Sequence, residues 1–134
     1  MTCILSDTKI TGFQPKQEKD KETKEVLDKL VIKGEAKLDN SLQISELFTG
    51  FRKKMIKASF SPYDDVEGDF TLSSVTLEDF AVKNKMEKIG EGKEAERIPV
   101  EHAYFTLTIK MDDDGELLKK MYSIFQKNIK MELE

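Results

Sequence analysis

Along most of this chain apolar and polar residues alternate, which is the period of a strand with one face on a core. From Leu30 to Leu38, the residues Leu30, Ile32, Ala36 and Leu38 share one face, and Val31, Lys33, Glu35 and Lys37 the other. The run opened by Pro99 is cleaner. It puts Ala103, Phe105, Leu107, Ile109 and Met111 on one side and His102, Tyr104, Thr106, Thr108 and Lys110 on the other. The tail after Asn128 places Ile129, Met131 and Leu133 in one phase. Cys3 to Phe13 is rich in β-branched residues and reads as a first strand, in a hairpin with the second. Phe70 and Leu72 hold one phase, Val75 and Leu77 the other, and Phe80 and Val82 return to the first. That predicts one long strand with a bulge or bend near Ser74.

The helical period appears twice. Ile44, Leu47, Phe48 and Phe51 follow the capping residues Asp39, Asn40 and Ser41. Gly50 ends the pattern as a C-cap, so a short helix and then a strand from Met55 to Phe60 are predicted, against a helix running on to Lys57. Leu117, Leu118, Met121, Ile124 and Phe125 make the second stripe, behind a strand stop and cap at Asp112, Asp113, Asp114 and Gly115. Residues 61–69 read as a turn by their Pro, Gly and Asp content. Residues 14–25 and 83–97 are charge runs that can bury nothing, and both read as flexible loops.

These elements predict one α+β domain over residues 1–134, without a βαβ alternation. The expected architecture is a mainly antiparallel β-sandwich or open barrel of about six strands. Two short helices would cover one end or one face.

Composition narrows the function classes. Apolar residues make up 38% of the chain and charged residues 36%, and the formal net charge is −4. A nonspecific duplex binder is usually basic, so this mixed balance argues against that role. The lone cysteine, Cys3, cannot form an internal disulfide, which suits a reducing, cytoplasmic compartment. No secretory leader is visible, and no apolar run approaches the ~20 residues of a membrane span. The overall character suits an accessory protein of a bacterium or its virus.

No catalytic constellation is legible. His102 is the single histidine and reads as solvent-facing, and Cys3 reads as a small buried hydrophobe. One Cys and one His do not supply a zinc site of four such ligands. Two acidic clusters, Asp64, Asp65, Glu67 and Asp69, and Asp112, Asp113, Asp114 and Glu116, lack the calcium-loop spacing and read as a turn and a helix cap. No phosphate-binding loop is present. Neither an enzyme nor a cofactor is expected.

Binding surfaces remain. The strip His102, Tyr104, Thr106 and Thr108 is short of charge and suits a protein partner or a second subunit. A noncatalytic protein-binding or assembly module, homo-oligomeric, is the leading expectation. A single-stranded nucleic-acid binder is second, with Arg52, Lys53, Lys54 and Lys57 on phosphates and Phe51 or Tyr63 stacking on bases. A small-molecule or nucleotide pocket in a barrel mouth is third.

Overall fold

The computed structural model describes residues 2–19, 21, 22, 24, 26–38, 41–63, 68–90, 92, 96–111 and 115–134. Six strands, β1 (Cys3–Lys19), β2 (Val26–Lys37), β3 (Met55–Pro62), β4 (Phe70–Ile89), β5 (Glu96–Lys110) and β6 (Ile129–Leu133), close a barrel in the order β1-β2-β5-β4-β3-β6. Every neighbouring pair is antiparallel. The expected sandwich is not formed, and the expected open barrel is closed. The β6 tail seals it by pairing with both β1 and β3.

The strand faces match the alternation in the sequence. Leu30, Ile32 and Ala36 of β2, Ala103, Phe105 and Leu107 of β5, and Ile129, Met131 and Leu133 of β6 all point inward and are buried. β4 keeps an inward face by bulging. Ile56 pairs with Val75 but Ala58 with Leu72, so Ser73 and Ser74 together face Lys57 alone. A second extra residue, Glu78, lies between the Leu77–Leu107 and Asp79–Thr106 pairs. Each bulge reverses the side-chain phase, which brings first Val75 and Leu77 and then Phe80 back to the core.

A helical segment plugs each mouth. α1 (Ser41–Glu46) runs into a single π turn, Leu47–Phe51, which buries Leu47 and Phe51. The Gln43 amide donates to the Ile4 carbonyl at 2.9 Å and ties α1 to the start of β1. The capping residues at 39 and 40 lie outside the described residues. Gly50 sits inside the π turn, and the left-handed position after it is taken by Lys53, at φ 63°. α2 (Glu116–Ile124) buries Leu117, Met121 and Ile124 at the opposite mouth, and its N-cap is Gly115 in place of an aspartate. Phe125, expected on the stripe, falls just past the helix and bridges to Ile10. Gln126 then turns left-handed, at φ 63°.

The two expected loops are largely strand. β1 stays paired with β2 out to Lys19–Val26, and β4 with β5 out to Ile89–Glu96. Both are two-stranded arms projecting past their neighbours, since the β2–β5 ladder covers only Lys29–Lys37 against His102–Lys110. A ribbon of two strands pairs its inner edges, leaves its outer edges to water and wets both faces, so it needs no apolar alternation. Gly90 and Gly92, at φ 93° and 74°, turn the chain at the β4–β5 tip. Pro15 lies beyond the β1–β6 ladder, where β2 is the one strand beside β1 among the described residues and a proline is tolerated.

Candidate functional site on the outer barrel face

Strand β5 carries the predicted strip His102, Tyr104, Thr106 and Thr108 on the outside of the barrel, flanked by the outward residues of β2 and β4. The structure does not leave the four residues equivalent. Tyr104 is open to solvent, and the ammonium of Lys83 lies 5.8 Å from its ring centroid. Thr106 and Thr108 are half-buried, and the Thr108 hydroxyl donates to the Glu78 carboxylate at 2.7 Å.

His102 is not solvent-facing. It is 7% exposed although it points away from the core. Lys37 of β2 and Glu87 of the β4 arm pair at 3.3 Å beside it, and Nε2 of His102 lies 3.4 Å from Oε1 of Glu87. Among the described residues neither ring nitrogen has hydrogen-bond geometry to any group. A second pair, Lys85 to Glu35 at 3.6 Å, anchors the arm to β2 next to it. Burial pushes the Glu87 carboxyl up. The Lys37 hydrogen bond and charge and the neighbouring His102 outweigh this and hold it below the ordinary glutamate value. A hollow of about 160 Å³ opens here, shared with Asp7, Lys9 and Asn128.

The basic and aromatic candidates of residues 51–63 do not form a stacking platform. Phe51 is in the core at 2% exposure and no base can reach it. Arg52 pairs with Asp79 at 3.2 Å, Lys54 donates to the Thr49 carbonyl at 3.3 Å, and Lys57 pairs with Glu134 at 3.5 Å. Lys53 is exposed in its left-handed turn. Tyr63 lies past the far end of β3, where its hydroxyl donates to the Ser6 carbonyl. The Phe80 backbone N–H at 2.8 Å, with Arg52 adding to it, lowers the Asp79 carboxyl below its usual range.

Other chemistry is sparse. Cys3 is buried, and burial with the nearby Glu46 pushes its thiol up to about 11, so no thiolate nucleophile forms near neutral pH. Among the described residues no three His, Cys, Asp or Glu side chains gather as metal ligands. The clusters at 64–67 and 112–114 lie outside the described residues. The barrel mouth beside Leu47 retains about 10 Å³ of space, which does not admit a nucleotide. No described helix is long and apolar enough to cross a membrane.

Larger hollows lie outside. Thr106 and Thr108 floor one of about 260 Å³ with Lys16, Lys29, Val31 and Glu78. A neighbouring hollow of about 340 Å³ shares Lys29, Glu78 and Thr108 and extends to Lys110, Met55 and Thr76. These lysines were not singled out by sequence. Their outward phase is legible there, but their alignment depends on strand register.

Compared with known proteins, the chain matches no family model, no curated protein and no solved structure.

Proposed function

We propose that this protein is a noncatalytic assembly module that pairs with a second copy of itself through the β4–β5 arm. The observation that carries this reading is the edge of β4. Its pairing with β3 stops at Met55–Thr76, with a last bridge between Arg52 and Leu77. Beyond Phe80, among the described residues, β4 pairs with no strand but β5, so one side of its backbone from Ala81 to Ile89 meets no other strand. An open edge is a template for another strand.

The side chains fit a symmetric pairing. Met86 is 56% exposed and Ile98 38% exposed, both on the arm. If two β4 edges meet antiparallel with Met86 opposite Met86, each Lys85 faces Glu87 of the second copy, and opposite charges meet twice. In that register Lys83 faces Ile89 and Lys88 faces Asn84 of the second copy, so no two lysines are opposed. The filled mouth beside Leu47 supports a working surface on the outside of the barrel.

Light scattering on a size-exclusion column tests this directly. The wild type should run as a dimer that dissociates on dilution, and Met86→Asp should run as a monomer with an unchanged circular-dichroism spectrum. A wild type that stays monomeric at high concentration overturns the reading. So does a dimer that ignores both Met86→Asp and Lys85→Glu.

A further inference from the structure

Three lysines stand in one cross-strand row on the outer face. Lys16 of β1 pairs with Lys29 of β2, and Lys29 pairs with Lys110 of β5. Lys29 and Lys110 have the phase opposite to Leu30 and Ile109 beside them, and Lys16 joins their row through its pairing with Lys29. Directly opposed side chains on adjacent strands stand about 5 Å apart at Cβ, and like charges there destabilise a sheet. Neither Lys16 nor Lys110 makes an ion pair among the described residues. The carboxylate between the two hollows, Glu78, is engaged by the Thr108 hydroxyl.

We propose that this row binds a short chain of linked phosphates, the chemistry shared by inorganic oligophosphates and nucleoside triphosphates. The outer lysines are two strand spacings apart, about 10 Å, a span that flexible lysine stems close around a ligand carrying several charges. The hollows on either side of Lys29 measure about 260 and 340 Å³, the size of a small-ligand site. The hydroxyls of Thr76 and Thr106 supply donors for phosphate oxygens, while that of Thr108 is engaged by Glu78. No aromatic ring lines either hollow, so the stacking platform that single-stranded nucleic acid uses is missing. Lys29 is already engaged by another group, and a bound polyanion offsets the like charge of Lys16 and Lys110 on either side of it. This inference is independent of self-pairing through β4, because the row lies on β1, β2 and β5.

Isothermal titration with inorganic tripolyphosphate, adenosine triphosphate and a single-stranded oligonucleotide tests it, on the wild type and on Lys16→Gln/Lys110→Gln. The expected result is binding of tripolyphosphate to the wild type, weakened at least tenfold in the variant and weakened by added salt. The unliganded variant should melt at or above the wild-type temperature, which separates lost binding from lost folding. Equal binding of tripolyphosphate and the nucleotide assigns recognition to the phosphates alone, and tighter nucleotide binding adds a base contact. No binding of either phosphate compound, or binding indifferent to the two substitutions, overturns the proposal. An oligonucleotide that binds more tightly than both, through the same lysines, also overturns it in favour of a nucleic-acid surface.

Discussion

The barrel body and the arms are built from the same strands but held in different ways. In the body every strand buries one face: Leu30, Ile32 and Leu107 have no exposed surface, and Phe105 keeps 5%. On the β4–β5 arm, Lys83 to Met86 and Glu96 to Pro99 are exposed on both faces. There the chain is extended because its backbone is paired, without a core to hold it. Stability should therefore be concentrated in the body, and the arm should open first. A paired strand and a buried strand are distinct things, and only the second announces itself in the alternation of a sequence.

The sharpest way to break the contrast is to truncate one side chain in each region. Leu107→Ala removes a fully buried side chain between β2 and β4 and should cost about 2–5 kcal/mol in chemical denaturation. Met86→Ala on the arm should change the stability of the monomer by less than about 0.5 kcal/mol. Comparable losses at the two positions would mean that the arm packs against a surface of its own.

Backbone space makes the next test. Gly34 of β2 faces inward, opposite Phe105 on one side and Ile10 on the other. A Cβ placed there runs into the tip of the Phe105 ring and stands 2.9 Å from the Lys9 carbonyl oxygen. The ring is confined by the core and the carbonyl belongs to the sheet, so neither gives way easily. Gly34→Ala should cost about 1–3 kcal/mol by the same measurement. Gly12, on the neighbouring bulge, has open space around it, and Gly12→Ala should be much milder. An equal response at the two glycines would show that β1 and β2 adjust freely.

This contrast also decides what could be read from sequence. The body was legible because burial leaves a pattern. The phase changes between Leu72, Val75 and Phe80 correspond to bulges at Ser73–Ser74 and at Glu78. The arms were hidden because residues such as Lys16, Lys83 and Lys85 have nothing to alternate against. That omission also concealed the environment of His102, whose cover comes from Glu87 and Lys37. The outward phase of Tyr104, Thr106 and Thr108 followed from alternation alone. The row of Lys16, Lys29 and Lys110 did not, because it exists only in the register of three strands from distant parts of the chain. Phe51 reads two ways in the sequence, on the helical stripe with Leu47 and as a stacking candidate past Gly50, and the π turn through Gly50 puts it in the core.

At the join between helix and barrel a gain is expected. Lys53 holds a left-handed conformation that costs an L-residue more than a glycine. Lys53→Gly should raise stability by about 0.5–1 kcal/mol, with Gln126→Gly behaving likewise after α2. A loss at Lys53 would mean that its side chain contributes more than its backbone strain removes.

The smallest effect concerns the tie between arm and body. Glu87 joins the β4 arm to Lys37 of β2, and its carboxyl is held below the ordinary value in the folded protein. A carboxyl lowered by folding contributes stability above its unfolded value, about 4.3, and loses it as the pH falls through the lower folded value. Glu87→Gln should therefore melt slightly below the wild type at pH 7, and the gap should close in acid once the wild-type carboxyl is protonated. Both partners are about one-third exposed, so ~1 M salt should shrink the gap at pH 7. A gap that persists unchanged through the acid range would assign the loss to side-chain packing over His102. In that case the arm would be fastened to the body by contact, and its charges would serve only to keep it wet.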